Sequence, residues 1–117
     1  MSGRFILFVL IKMTEILEIL LVQLQRCKRQ LTIFQEKANT ASDTDQVRIN
    51  DTSLELSKMA EQIYTTIQIM RTTDTDDASF VRARRSITRK IAEYKCFFFS
   101  RVLELFGENA VLEMQRV

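Results

Sequence analysis

Met13, Leu17, Leu20, Leu24, Cys27, Leu31, Phe34 and Ala38 follow one another at spacings of 4, 3, 4, 3, 4, 3 and 4. An apolar residue every three or four positions places all of them on one side of a helix, which must bury that side against a neighbour. The seam predicts a helix of about 26 residues, roughly 39 Å long at 1.5 Å per residue. Ile16, Ile19, Leu21, Val22 and Ile33 lie beside the seam and widen its apolar face beyond that of a two-stranded coiled coil. Such a helix suits a bundle with several neighbours.

The rest of the chain follows the same periodicity. It has no proline, and of its 117 residues only Gly3 and Gly107 are glycine, so hairpin turns have little material and the connections should be few and polar. A second helix is expected after "NTASDTDQ", with Asp43 and Gln46 as N-cap and N3 pair and with Ile49, Leu56, Met59, Ile63, Ile67 and Met70 inward. Thr52 and Ser53 leave a polar patch near its start. A third, after "TTDTDDAS", turns Phe80, Ile87, Ile91, Tyr94, Phe98, Val102 and Leu105 inward and stops at Gly107. "ENAVLEMQRV" has the pattern of a short amphipathic tail. The expected fold is therefore all-α, an antiparallel up-down three-helix bundle with helices near 13–39, 46–71 and 77–106 and a tail at 108–116.

Residues 1–12 stand apart from this pattern. Arg4 and the seven apolar residues Phe5 to Ile11 imitate a secretory signal, but Lys12, Glu15 and Glu18 come where a small-residue cleavage site belongs. The same charges interrupt any run approaching the roughly 20 apolar residues that span a bilayer. Either this leader extends the first helix and packs on something, or translation starts naturally at Met13.

Chemistry-bearing patterns are sparse. There is no histidine, and no glycine-rich phosphate loop, nucleophile elbow or metal-ligand spacing, so no catalytic residue and no cofactor is indicated, and the chain reads as a non-enzyme. Cys27 and Cys96 sit in apolar runs without a CxxC motif and read as small reduced core residues, a disulfide being the other option. Asp74, Asp76 and Asp77 are explained by capping at a helix N-terminus. Asn50-Asp51-Thr52 matches the glycosylation pattern by chance in a helical segment.

The most unusual stretch is "VRARRSITRK". Arg82, Arg84, Arg85, Arg89 and Lys90 crowd the first half of the third helix, where cations oppose the helix dipole at about 0.3–1 kcal/mol each when exposed. One account is a solvated face balanced by the preceding aspartates and by Glu55 or Glu61. The other is a binding stripe of Arg82, Arg85 and Arg89 for an acidic partner peptide, anionic lipid or nucleic acid, their spacing of 3 and 4 putting them in one row. The net charge of +2 does not by itself announce nucleic acid.

Taken together, residues 16 to 104 resemble the N-terminal three-helix domain of syntaxins, especially the endosomal and vacuolar type. The likeness rests on Leu24-Gln25-Arg26 in the first helix, Asp43-Thr44 in the connection and Arg48 near the start of the second. In the third, the cluster Arg82, Arg84, Arg85 and Arg89 precedes Ala92-Glu93-Tyr94. It implies a cytoplasmic regulatory bundle at the cytosolic face of endosomal or vacuolar membranes. Such a domain binds a trafficking factor, or folds back on a SNARE helix and restrains its pairing. A small basic helical protein that binds nucleic acid or anionic membrane through the third helix is the alternative, and a homo-oligomer is compatible with either.

Cys96 is followed by Phe97, Phe98 and Phe99. Because a helix turns about 100° per residue, three successive rings cannot share one face. With Phe98 inward, Phe97 and Phe99 splay to its two sides. The tail is expected to cover one flank and leave the other as a hydrophobic contact for a partner or second copy, so Phe97 and Phe99 join the arginines as candidate partner-binding residues.

Overall fold

The computed structural model describes the backbone of residues 2–72 and 76–117, and the side chains of residues 13–72, 76 and 78–117. Four helices pack against one another: α1 (Ser2–Glu36), α2 (Asp43–Thr72), α3 (Asp77–Phe106) and the short α4 (Glu108–Gln115). A 3-10 turn, Lys37–Thr40, links α1 to α2. No strand occurs among the described residues. The packing of the leader side chains Phe5 to Ile11 and the roles of Asp74 and Asp77 lie outside the described residues.

The heptad seam forms the core side of α1. Leu17, Leu20, Leu24, Cys27, Leu31 and Phe34 are buried, while the end residues Met13 and Ala38 are partly covered. Opposite them α2 contributes Ile49, Leu56, Ala60, Ile63, Ile67 and Met70, and α3 contributes Phe80, Ile87, Ile91, Tyr94, Phe98 and Val102. Met59 and Leu105, expected inward, are only partly buried, because each lies on the border of its stripe and Ala60 and Val102 take the central places. Thr52 and Ser53 are buried polar residues.

Two expectations need correction. The α2 helix begins at Asp43, and its cap is Ser42: the Ser42 hydroxyl accepts from the Asp45 amide at 3.3 Å, while the Gln46 amide side chain donates to the Ala41 carbonyl at 3.2 Å. The shorter serine side chain stands one residue before the first helical turn, where its oxygen reaches the free N–H groups. Cys96 is exposed and only Cys27 is a core thiol; both are free. Two positions before Phe98 in the helix, Cys96 is turned away from the face that Phe98 buries.

At the other hinge, Gly107 ends α3 and begins α4 with φ 88° and ψ −179°. That region is essentially restricted to glycine, and the strain on any other residue would come from the backbone alone, since a Cβ there meets nothing within 4 Å.

Tyr94 sits in this core with its hydroxyl buried and without a protein hydrogen-bond partner. Burial pushes that hydroxyl above the usual phenol range, and the neighbouring Cys27 thiol adds to the shift. The Cys27 thiol is itself raised by burial, partly offset by Lys95 and Arg26. Both groups have folded-state values above their unfolded ones, so their contribution to stability is full below the unfolded values and is lost as pH rises through the folded ones. Stability should accordingly begin to fall above about pH 9–10. Tyr94→Phe keeps the ring and removes the orphan hydroxyl, so at neutral pH it should stabilise the fold by up to about 1–3 kcal/mol, seen as a higher urea midpoint, and weaken the alkaline loss. A lowered midpoint at neutral pH would mean that the hydroxyl is satisfied.

Candidate protein-interaction surface

The first turn of α3 is organised by Asp76, whose side chain accepts from the Ser79 amide at 2.7 Å. That hydrogen bond, then one with the Ser79 side chain and a smaller attraction to Arg82, hold the Asp76 carboxyl below the usual carboxylate range. Arg82 in turn donates to the Ser79 hydroxyl at 3.3 Å. Its charge is therefore partly answered within its own helix.

Arg84, Arg85 and Arg89 differ from it. All three are exposed, and none pairs with a carboxylate among the described residues; the ion pairs formed there are Arg48–Glu104, Arg71–Glu18 and Arg101–Glu104. Neither Glu55 nor Glu61 forms an ion pair with the cluster among the described residues. The side chains frame two open clefts that share Arg85 and Arg89. One, of about 480 Å³, is completed by Val81, Arg84, Thr88 and Ala92. The other, of about 350 Å³, is completed by Arg82 and Ser86. Arg82, Arg85 and Arg89 thus do share a row.

Arg84 adds what that row lacks. With Thr88 it borders a recess of about 170 Å³ between α3 and α1, whose other walls are Ile16, Ile19, Leu20 and Gln23. Sequence reasoning on α3 alone passes over this junction. The available signal was on α1: Ile16, Ile19, Gln23, Arg26 and Gln30 are spaced 3, 4, 3 and 4, a second stripe beside the seam.

At the other end of this stripe lies α4. Its Ala110 and Met114 are buried, and α1 side chains bond carbonyls at and just past its end: Gln30 Nε2 donates to Met114 O at 2.9 Å, and Arg26 donates to Gln115 O and, at 2.8 Å, to Val117 O. Helix C-termini leave such carbonyls unpaired and carry partial negative charge, so a guanidinium there satisfies both needs.

The α3–α4 junction decides the fate of the phenylalanine run. Phe98 is fully buried and contacts Phe34 edge-on at 5.6 Å. Phe99 is partly buried and, with Leu103, Val111 and Leu112, lines an apolar groove of about 530 Å³ between the two helices. Phe97 is partly buried too, with the Arg101 guanidinium 5.3 Å above its ring. Arg101 bonds Glu104 at 2.8 Å, and Glu104 pairs with Arg48 of α2. Neither flank therefore stands as a bare ring: α4 lies along one and a cation covers the other, since a guanidinium is attracted to an aromatic face. The two phenylalanines are not brought together with Arg82, Arg85 and Arg89, which lie at least two helical turns toward the start of α3.

No family model, curated protein or solved structure matches this chain. Among the described residues no cluster of acidic, cysteine or histidine side chains is suited to hold a metal, and no helix is long and apolar enough to cross a membrane. The feature with chemical direction is the arginine-rimmed face of α3 and the recess it shares with α1.

Proposed function

We propose that this chain is a non-enzymatic protein-interaction module, an antiparallel up-down three-helix bundle with a helical tail, similar in kind to the N-terminal domains of syntaxins. Its partner on this reading is a SNARE helix or a trafficking factor at the cytosolic face of endosomal or vacuolar membranes. Two contacts support the up-down arrangement: Arg71, near the end of α2, pairs with Glu18 of α1 at 3.1 Å, and Arg48, near the start of α2, pairs with Glu104 near the end of α3. The observation that carries the functional reading is the set of exposed arginines, without acidic partners among the described residues, beside an apolar recess. Arg84, Arg85 and Arg89 lie beyond the first turn of α3, so the helix dipole hardly opposes them and their charge can meet an acidic group of a partner.

The test is a titration of the full chain with SNARE-helix peptides, a short DNA duplex and anionic vesicles, repeated between roughly 50 and 200 mM salt. The proposal expects peptide binding that depends shallowly on salt, because apolar contacts supply much of it. DNA or vesicle binding that falls steeply with salt, with no peptide bound, would replace it by an electrostatic nucleic-acid or membrane binder.

A further inference from the structure

Along the α1 stripe, Ile16, Ile19 and Gln23 line the recess shared with α3, and Arg26 and Gln30 bond the end of α4. α4 lies against the C-terminal half of α3, and its end is held by Arg26 and Gln30. Beyond Arg26 lies the open recess walled by Gln23, Leu20, Ile19 and Ile16 of α1 and by Thr88 and Arg84 of α3, and next to it, sharing Arg84 and Thr88, the cleft of Val81, Arg85, Arg89 and Ala92 on α3. We infer that this open surface receives an acidic amphipathic helix of a partner protein, laid in line with α4. The inference rests on the interaction-module reading and names its docking site.

Shape, polarity and charge each narrow the occupant. The stretch of α3 from Val81 to Ala92 is about 17 Å long at 1.5 Å per residue, room for about three turns of helix. Apolar surface is offered on both helices, since Ile19 in the recess is 57% and Val81 in the adjoining cleft 41% exposed although both are large aliphatic residues. α4 shows the manner of docking, burying a small and a long residue four apart, Ala110 and Met114, with its end bonded to Gln30 and Arg26 of α1. Arg84, Arg85 and Arg89 then rim one wall only, with no carboxylate of their own among the described residues. An occupant with apolar residues at i, i+3, i+4 and i+7, flanked on its α3 side by Glu or Asp, matches both features. A flat membrane surface would reach the guanidinium groups but not the recess below them. Duplex nucleic acid would leave Ile19 and Val81 exposed.

The experiment uses a dye-labelled designed peptide with leucines at those spacings and glutamates along one flank, followed by fluorescence anisotropy on the full chain. Controls are the same composition scrambled and the same pattern with lysine in place of glutamate. The acidic amphipathic peptide should bind, and the two controls should bind at least about tenfold more weakly, since reversing a charge turns attraction into repulsion. Arg84→Glu with Arg89→Glu, and separately Ile19→Asp, should each weaken the acidic peptide about tenfold, with the double reversal favouring the lysine peptide instead. Lys58→Glu, an exposed change on α2, should leave it unchanged. Circular dichroism of each variant confirms that it is folded. Binding that ignores all the groove variants would overturn this site while leaving the interaction-module reading intact. Failure of every peptide, SNARE helices included, would overturn both.

Discussion

Phe34→Ala is expected to destabilise the protein by about 3–5 kcal/mol, the range for deleting a large aromatic from a core. The ring is fully buried and stands where α1 meets two parts of α3, edge-on to Phe98 at 5.6 Å and to Phe106 at 6.1 Å. Alanine would lose the transfer of the ring out of water and leave a space that its neighbours fill only in part. Two aromatic pairs, worth about 0.5–1.5 kcal/mol each beyond their buried area, would go with it. Leu24→Ala and Leu31→Ala, in the same seam, should cost about 2–5 kcal/mol, with Leu24 toward the upper end because it is 1% exposed against 6% for Leu31. Small domains are stable by about 5–15 kcal/mol, so any of these changes removes a large share. Urea melts compared at equal slopes measure the loss directly. Changes below about 0.5 kcal/mol at Phe34 and Leu24 would mean that the seam is not the core.

Truncation after Phe106 should have the second large effect. It removes the buried Ala110 and Met114, and burial of a methionine alone corresponds to about 2–5 kcal/mol in large-to-small replacements. It also strips the carbonyl partners from Gln30, otherwise 3% exposed, and from Arg26. The surface uncovered on α3 includes the Phe99 flank, extending an apolar patch that already contains Leu103 at 50% exposure. Exposed patches of this kind bind dyes and associate. Hydrophobic-dye fluorescence should rise, and sedimentation should show self-association. A second change, Phe99→Ser, should reverse both effects, whereas Phe97→Ser should not, because the Phe97 face is already under Arg101. Truncated protein that stays monomeric and dye-free would show that α4 is not needed to cover this face.

The distinction between Phe97 and Phe99 marks where local pattern ceased to be informative. Their divergence from Phe98 follows from helix rotation alone and was legible in the chain. That a guanidinium would cover one and a helix the other was not. Arg101 and Glu104 are visible beside the rings, but their role needs Arg48, 56 residues from Glu104 in sequence.

The helices themselves, the seam from Leu17 to Phe34 and the stop at Gly107 were determined by the sequence, because helical periodicity and termination act over three or four residues. The Ser42 cap lay within the same range, yet Asp43 beside it offered an equally suitable oxygen, and choosing between adjacent caps needs the backbone position of the first turn. Tertiary structure alone decided which arginine meets α1, that α4 would be held by Arg26 and Gln30, and that a recess between α1 and α3 would stay open. Arg26 and Val117 are 91 residues apart, and Gln30 and Met114 are 84. Contacts of that range depend on how far each helix is rotated about its axis and slid along its neighbour. A stripe of leucines sets the buried side of a helix to within a residue or so, whereas moving one position along that stripe swings a side chain by about 100°. Two such steps, about 200°, separate Arg82, which faces away, from Arg84, which borders the α1 recess.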